Sequence, residues 1–316
     1  MIKQKEYAKR RLQLMDIAGE GSVIIVRAAA EKMRNKDTAH PYRQDSDFLY
    51  LSGFSEPGAM MVLIPQQKGG CSTMICRERD KQRELWDGER AGTEGVVARY
   101  GFDEAFPITE MKERLPEMLR GCDRVFYDLG KDPVFDQLLI GWLNEFRAKS
   151  RKKYSAPDEI IALDHSLHEM RLFKSRTEIS MMRKSARVAE AAHRKAMQVC
   201  KPCMNEAEIH AELLHTFVSK QCQASYIPIV GGGANACVLH YIANRDPLND
   251  GELLLIDAGA EYDGYASDIT RTFPVNGKFS GPQRDLYEVV LAAQLKAIDE
   301  VREGNAWEHV HETAVQ

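Results

Sequence analysis

Two kinds of hydrophobic spacing alternate along the first half of this chain. Short apolar runs predict strands at residues 22–26, 59–64, 71–76 and 124–129. Between them, apolar residues recur at helical spacing, which predicts helices over residues 5–16, 108–119 and 134–146. Strands that alternate with helices predict an α/β domain with a mixed sheet.

A basic, polar stretch interrupts this alternation. Residues 149–157 are rich in Lys and Arg and end in proline, as a linker or exposed loop would. We place the domain boundary between this stretch and about residue 170. The chain is therefore predicted to contain an N-terminal domain over residues 1–170 and a second domain over residues 171–316.

The second domain is predicted to begin with helices and to continue with strands. Ser175 and Glu178 have the spacing of a capping box, so a long helix should start there. Asn205, with Glu208 three positions on, predicts the start of a second helix that runs to about residue 221. Strands dominate residues 227–273, and a further helix is predicted to start near residue 282.

One predicted strand of this domain ends in a charge. Four apolar residues at 253–256 run directly into Asp257. Asp263 and Gly264 then form a strong hairpin signal, because a type I′ turn needs positive φ at both central residues. The pattern predicts a hairpin whose first strand ends at an aspartate.

This turn determines which residues face each other across the hairpin. Asp257 should pair with Thr270, and Asp268 with Gly259, so both carboxylates lie on one face with Cβ atoms roughly 7–8 Å apart. A shift of one residue would place them on opposite faces. Two crowded carboxylates repel each other unless a cation compensates, which indicates a metal site. A pair of solvated aspartates is the alternative.

Composition and charge exclude several classes of function. The 316 residues are 44% hydrophobic and 28% charged, which is ordinary for a soluble globular protein. The net charge of −4, without a long basic block, gives little support for nucleic-acid binding. The polar N-terminus has no signal-peptide core, and no apolar run approaches the ~18 residues of a membrane span. We expect a cytoplasmic protein without a nucleic-acid or membrane partner.

The seven cysteines are scattered and odd in number. Without a secretion signal they are expected to be reduced thiols. Cys200 and Cys203 form a CxxC pair, which could be a redox pair or half of a zinc site. No second CxxC follows, so a structural or incidental use is the simpler interpretation.

His240 is a candidate for the chemistry of the aspartate pair. It lies 17 residues before Asp257 and shortly after the three glycines at 231–233. A histidine beside a metal–carboxylate site can orient a substrate carbonyl or move a proton near neutral pH. A buried histidine bound to the backbone is the alternative. The glycines lack the GK[ST] of a phosphate loop, which indicates a flexible or closely packed loop.

Four segments of the chain are similar to one known family. They are residues 40–54 (HPYRQDSDFLYLSGF), 168–175 (HEMRLFKS), 239–241 (LHY) and 256–277. Together they resemble the bacterial Xaa-Pro aminopeptidases, also called aminopeptidase P. The resemblance covers essentially the whole chain.

The resemblance implies a fold and a metal site. The fold is an α/β N-terminal domain followed by an α+β pita-bread (creatinase/aminopeptidase-like) catalytic domain, assembled as a dimer or tetramer. The site holds two metal ions, usually manganese, on two Asp, one His and two Glu. Asp257 and Asp268 match the two aspartate ligands, and His240 matches the active-site histidine that contacts substrate. Trp86 resembles a tryptophan that covers the site of a neighbouring subunit.

The reaction implied by the resemblance is hydrolysis of the bond between an N-terminal residue and a following proline. A hydroxide that bridges the two ions attacks the carbonyl of the first residue. Proline in a peptide has no amide N–H, so a peptidase dedicated to this bond is chemically reasonable. The substrates would be peptides with proline in second position.

Two features depart from the family pattern. Cys203 stands where the family usually has glycine. The other His and the two Glu ligands are expected in a C-terminal portion beyond Gln316, so the catalytic domain is expected to be incomplete. We expect this chain by itself to bind Mn²⁺ weakly and to cleave nothing.

Other functions remain open at this point. A prolidase-type dipeptidase uses the same ligands but cleaves Xaa-Pro dipeptides only. A non-catalytic pseudo-peptidase would hold peptides or other proteins. A metal-free creatinase-type relative is disfavoured, because both Asp257 and Asp268 are present.

Overall fold

The computed structural model describes residues 2–66, 70–149 and 156–316. The chain divides into two compact units, Met1–Glu178 and Ile179–Gln316. Residues 150–155 of the predicted linker lie outside the described residues. Each helix of the described ranges is too short or too polar to cross a lipid bilayer.

A mixed sheet forms the centre of the first unit. The described strands of the unit are β1 (Ser22–Arg27), β2 (Met33–Asn35), β3 (Thr38–Ala39), β4 (Met60–Ile64), β5 (Cys71–Cys76), β6 (Glu104–Pro107), β7 (Arg124–Phe126) and β8 (Glu159–Ile161). Six of them form a sheet of order β6-β5-β4-β1-β7-β8. The β1–β4 and β4–β5 pairs are antiparallel and the other three pairs are parallel, which confirms the predicted mixed sheet.

Helices cover both faces of this sheet. They are α1 (Gln4–Ala18), α2 (Ser46–Ser52), α3 (Lys81–Asp87), α4 (Gly92–Tyr100), α5 (Met111–Met118), α6 (Pro133–Lys149) and α7 (Asp164–Leu172). Because side chains alternate along a strand, Ile24 packs in a buried cluster with Leu14 of α1, whereas Ile25 packs in a second cluster with Leu139 of α6. The result is a three-layer α/β unit.

Several predicted elements of this unit have different bounds in the structure. The predicted helix over 108–119 is a 3-10 turn, Ile108–Glu110, followed by α5. The predicted strand over 124–129 ends at Phe126. Sequence reasoning did not identify α2, α3, α4 or α7, which are only seven to nine residues long. Two turns of helix contain too few repeats of the apolar spacing to give a clear signal.

The second unit combines helices with two small sheets. The helix leading into it is α8 (Arg176–Val199), and the others are α9 (Glu206–Ser219), α10 (Gly281–Asp299) and α11 (Trp307–Val315). The strands are β9 (Gln223–Ala224), β10 (Ile229–Gly232), β11 (Leu253–Asp257), β12 (Ala260–Tyr262), β13 (Tyr265–Ala266) and β14 (Thr270–Pro274). One sheet has the order β10-β11-β14 and the other β13-β12-β9.

The starts of α8 and α9 confirm both predicted capping boxes. The Ser175 backbone N–H donates to Glu178 over 2.8 Å, and the Glu178 N–H donates to Ser175 Oγ over 3.2 Å. Asn205 and Glu208 form the equivalent reciprocal pair at the start of α9. Both helices pack on the β10-β11-β14 sheet through a fully buried cluster that includes Ala192, Leu213, Leu254 and Ile256. No residue within α10 or α11 is buried.

Candidate metal centre

The predicted hairpin turn is present. Asp263 and Gly264 have φ angles of 49° and 82°, as a type I′ turn requires. Asp257, the last residue of β11, pairs with Thr270, the first residue of β14. This register is the one that the sequence predicted.

The hairpin is divided between two sheets, but the predicted register continues across the division. The Ala258 N–H donates to the Ile269 carbonyl (3.1 Å), and the Ser267 N–H donates to the Ala260 carbonyl (2.9 Å). Gly259 and Asp268 lie between these two hydrogen bonds, as the predicted register requires. β11 and β14 belong to one sheet, whereas β12 and β13 belong to the other, and both residues lie in the break between them.

The carbonyl of Gly259 points out of the hairpin and accepts a hydrogen bond from the Ser225 N–H (2.9 Å), as is usual at a non-hydrogen-bonded position of an antiparallel pair. A Cβ on Gly259 would lie only 1.7 Å from the carbonyl oxygen of Ser267. Glycine is therefore required where the two strands approach each other.

Asp257, at the end of β11, and Asp268, in the break, converge on one tyrosine. Tyr226 lies between β9 and β10 and is half-buried. Its hydroxyl forms a hydrogen bond with Asp257 Oδ1 and lies 2.9 Å from Asp268 Oδ1. Asp257 is partly buried and Asp268 is exposed, so the pair is open to solvent on one side. The structure thus brings together the two carboxylates that the sequence singled out.

Tyr226 does not neutralise the negative charge of the Asp257 and Asp268 carboxylates. Burial raises the pKa of Tyr226, and its hydrogen bonds to the two carboxylates raise that pKa further, so the hydroxyl stays protonated. An ionised carboxylate only accepts hydrogen bonds, and one hydroxyl offers a single proton. The two carboxylates therefore share one donor and retain a negative charge between them.

His193 of α8 binds the backbone of the break from its buried side. Its Nε2 lies 3.1 Å from the carbonyl oxygen of Ala258 and donates to it, and the Ala258 N–H donates to the Ile269 carbonyl over 3.1 Å. The imidazole is only 3% exposed, and its Nδ1 has no hydrogen-bond partner. Burial lowers the pKa of His193 below its ordinary value, so the neutral ring is favoured. This ring fixes the backbone directly beside Asp257.

His240 lies on a separate segment that connects β10 to β11. A 3-10 turn, Gly233–Cys237, leaves β10, and the side chain of His240 is exposed beyond it. Asn244 returns the segment to the start of β10, where its amide donates to the Pro228 carbonyl over 2.7 Å. Pro228 precedes Ile229, which pairs with Asp257. The buried-histidine alternative is therefore wrong for His240.

Comparison with known proteins identifies the family. The family model "Aminopeptidase P, N-terminal domain" matches residues 7–127, and "Metallopeptidase family M24" matches residues 180–316. The Xaa-Pro aminopeptidase of Escherichia coli (strain K12) is 41% identical over 292 residues, which are 92% of this chain and 66% of that protein. The Xaa-Pro aminopeptidase of Haemophilus influenzae is 38% identical over 317 residues, covering 100% of this chain and 71% of that protein. This chain belongs to the Xaa-Pro aminopeptidase family.

Solved structures support the same membership. The structure of Pseudomonas aeruginosa aminopeptidase PepP superposes with a TM-score of 0.96 at 48% identity, covering 99% of this chain and 71% of that one. The predicted architecture of the Xaa-Pro aminopeptidase family, an α/β domain followed by a pita-bread metallopeptidase domain, is confirmed. Membership of family M24 also implies a divalent metal cofactor. The chain spans about two thirds of the length of the relatives that it matches.

Sequence reasoning missed two residues of this site, Tyr226 and His193. Tyr226 lies in the irregular stretch between two short strands, and no spacing connects it to Asp257. His193 lies on the apolar face of α8, where a histidine resembles any other core residue. Gly259 did carry a signal, because a glycine inside a strand pattern often marks a close backbone approach.

A different cluster of potential ligands lies in the first unit. Asp47, Asp164 and His168 have ligand atoms within 4.8 Å of one another. Arg171 donates to Asp47 over 2.5 Å, and Lys131 donates to Asp164 over 2.7 Å and lowers the pKa of that carboxyl. Each carboxylate already has a cationic partner, so we do not assign a metal to this cluster.

Proposed function

We propose that this protein is a metalloaminopeptidase that hydrolyses the bond between an N-terminal residue and a following proline. The observation that carries the proposal is the convergence of Asp257 and Asp268 on the Tyr226 hydroxyl, within the region that matches metallopeptidase family M24. Relatives named Xaa-Pro aminopeptidase, at 41% and 38% identity, support the substrate class.

Asp257 and Asp268 are the proposed metal ligands. Their oxygens suit hard cations such as Mn²⁺ better than soft ones. The fit is supported by charge, because two carboxylates that share a single hydroxyl proton leave a negative charge for a divalent ion to neutralise. We propose two Mn²⁺ ions per site as the cofactor. When bound, they supply Lewis acidity for the hydrolysis of a peptide carbonyl.

The side chains of the protein have separate roles in this proposal. The hydroxyl of Tyr226 orients the two carboxylates, and His193 holds the backbone beside Asp257. His240 is exposed and free to meet a ligand, so we assign it the contact with the substrate carbonyl. Its imidazole would hold or move a proton there near neutral pH.

The proposal extends to domain roles, assembly and location. We propose that residues 1–170 form the N-terminal domain and residues 171–316 belong to the catalytic domain. A homodimer or homotetramer in the cytoplasm is proposed as the working form. In support, Leu85 and Trp86 of α3 are 85% and 87% exposed and offer an apolar contact to a second copy. Light scattering of the full-length protein and of its Trp86→Ala variant would test the assembly.

The activity is tested with the full-length protein in Mn²⁺. Release of the N-terminal residue is measured from Arg-Pro-Pro and, separately, from the dipeptide Arg-Pro. We expect kcat/KM to be higher for the tripeptide. Asp257→Asn should lower kcat/KM at least about 100-fold, because loss of a metal ligand removes transition-state stabilisation.

Asp263→Asn is the matched control for Asp257→Asn. Asp263 lies in the type I′ turn of the same hairpin, is exposed, and is replaced by a residue that this turn accepts. The control should retain its activity within about twofold. Cleavage of Arg-Pro alone would indicate a dipeptidase instead. No cleavage of either peptide, with binding of Arg-Pro-Pro in calorimetry, would indicate a non-catalytic peptide-binding protein.

A further inference from the structure

Glu206, the first residue of α9, is a completely buried carboxylate with four hydrogen-bond donors. Its Oε1 accepts from the Gly232 N–H (2.8 Å) and from Asn235 Nδ2 (3.0 Å). Its Oε2 accepts from the Tyr241 hydroxyl (2.8 Å) and from the Asp246 N–H (3.0 Å). Its exposed fraction is 0%. A buried charge of this kind is stable only because every lone-pair direction meets a donor.

All four donors lie in one stretch of chain, residues 232–246, which we call the His240 segment. Gly232, the last residue of β10, is the first residue of the segment, and Asp246 is the last. Tyr241 is the residue directly after His240. One carboxylate thus connects both ends and the middle of the segment that carries the candidate histidine.

The His240 segment has a fixed path as well as a common anchor. Asn244 is 3% exposed and returns to β10, where its Oδ1 accepts from the Val230 N–H over 2.9 Å. The Glu206 N–H also donates to the Asp246 carbonyl over 2.9 Å. The exposed tip with His240 therefore lies between anchored ends, and Tyr241 is the contact with Glu206 nearest to that tip.

The hydrogen bond from Tyr241 to Glu206 also restricts His240, the residue directly before Tyr241. Burial raises the pKa of Tyr241, and the hydrogen bond to Glu206 raises it further, so the hydroxyl remains a donor at neutral pH. Adjacent residues share a peptide plane, so a fixed Tyr241 restricts the backbone of His240. A free segment of this length would let the imidazole sample many positions.

We propose that Glu206 is a positioning residue that holds His240 in place through Tyr241. This inference rests on the proposed function, in which His240 contacts the substrate. The Glu206 side chain is fully buried, and the four donors to its carboxylate all lie in the His240 segment. Loss of the Glu206 charge should therefore lower activity by displacing His240. It should have little further effect on activity in a variant that lacks the His240 imidazole.

Glu206→Gln and its matched control test this proposal. In Glu206→Gln one oxygen becomes an amide nitrogen, which cannot accept, so one pair of the four donors loses its partner. Glu208→Gln makes the same change two residues further along α9. Glu208 is exposed and accepts from the Asn205 N–H over 2.8 Å, without contacting the His240 segment. Tyr241→Phe is a milder variant that removes the hydroxyl beside His240, and with it the contacts to Glu206 and to Asn235 Nδ2.

The kinetic test is a double-mutant cycle with His240→Ala in the full-length protein. We expect Glu206→Gln to lower kcat/KM for Arg-Pro-Pro at least about tenfold, and Glu208→Gln to change it less than about twofold. In the His240→Ala background, Glu206→Gln should cost less than about twofold more. An equal loss in both backgrounds would show a purely structural role and would overturn the proposal.

A second measurement does not depend on activity. The imidazole resonances of His240, assigned by their absence in His240→Ala, are followed by NMR. Glu206→Gln and Tyr241→Phe should shift or broaden them, and Glu208→Gln should leave them in place. Unchanged resonances in both variants would overturn the positioning role. If His240→Ala is fully active while those resonances do shift, the assigned role of His240 fails and the anchoring by Glu206 stands. If Glu206→Gln does not fold, Tyr241→Phe decides the question by both measurements.

Discussion

Asp257 lies directly opposite Thr270 in the antiparallel pair formed by β11 and β14. This relationship places Asp268, two residues before Thr270, in the break where the strands separate into two sheets. Both carboxylates meet the Tyr226 hydroxyl, as expected for two aspartates on the same face of the hairpin. The candidate site therefore depends on the register of the hairpin.

The close approach at Gly259 makes the break sensitive to a single methyl group. Gly259→Ala would place a Cβ 1.7 Å from the Ser267 carbonyl oxygen, so the strands must separate. We expect the free energy of unfolding to fall by about 3 kcal/mol or more. Urea denaturation measures this change.

Gly281→Ala is the control for this substitution. Gly281 is the first residue of α10, and a Cβ there would meet nothing within 4 Å. Its effect should be no more than about 0.5 kcal/mol. Equal stability of Gly259→Ala and Gly281→Ala would mean that the strands do not approach each other as described.

Tyr226→Phe removes the hydroxyl that the two carboxylates share. A hydrogen bond to a charged group contributes about 1.5–3 kcal/mol, so for this half-buried site we expect a loss of about 1–2 kcal/mol in the presence of a chelator. Thermal or urea unfolding in EDTA measures it. Tyr287→Phe is the control, because it keeps the ring contact with Phe279 and is remote from the aspartates in sequence. A Tyr226→Phe protein as stable as the control would contradict the bridging contact.

The buried His193 should make the stability depend on pH. Burial lowers its pKa below the ordinary value of 6.5, and Arg271 lowers it further. As the pH falls below about 6.5, the unfolded chain takes up a proton that the folded state resists, so stability is lost. His193→Gln lacks this group, and its destabilisation relative to the natural sequence should shrink between pH 7.5 and pH 5.

Urea denaturation across this pH range provides the measurement. His311→Gln is the control, since it removes an exposed imidazole and leaves the buried one in place. The control should lose stability with acid as the natural sequence does. A constant difference between His193→Gln and the natural sequence at all pH values would show that the ring is not held neutral by burial.

Metal binding can be measured independently of peptide hydrolysis. We expect Asp268→Asn to weaken the binding of Mn²⁺ at least about tenfold, which corresponds to about 1.4 kcal/mol. Electron paramagnetic resonance of free Mn²⁺ gives the dissociation constant. Asp263→Asn, in the turn of the same hairpin, should bind Mn²⁺ as the natural sequence does. Identical affinities of the two variants would exclude Asp268 as a ligand.

Many local features of this structure could be predicted from the sequence, because they depend on residues that are close together along the chain. Helix caps such as Ser175 and Asn205 depend on side chains that bind the backbone two or three residues away. The turn at Asp263 and Gly264 depends on two φ angles, and it alone fixed the pairing of Asp257 with Thr270. The apolar runs of β1, β4 and β5 fixed their strands, because each is buried on both faces.

The tertiary structure decided which distant groups meet. Tyr226 reaches Asp257 and Asp268 across 31 and 42 residues, and Glu206 reaches Tyr241 across 35. No periodicity records such contacts, because they arise only when separate elements pack together. The sequence by itself therefore determined the two carboxylates and the strands that carry them. The packing of α8, α9 and the small sheets determined how those carboxylates converge and how the His240 segment is held.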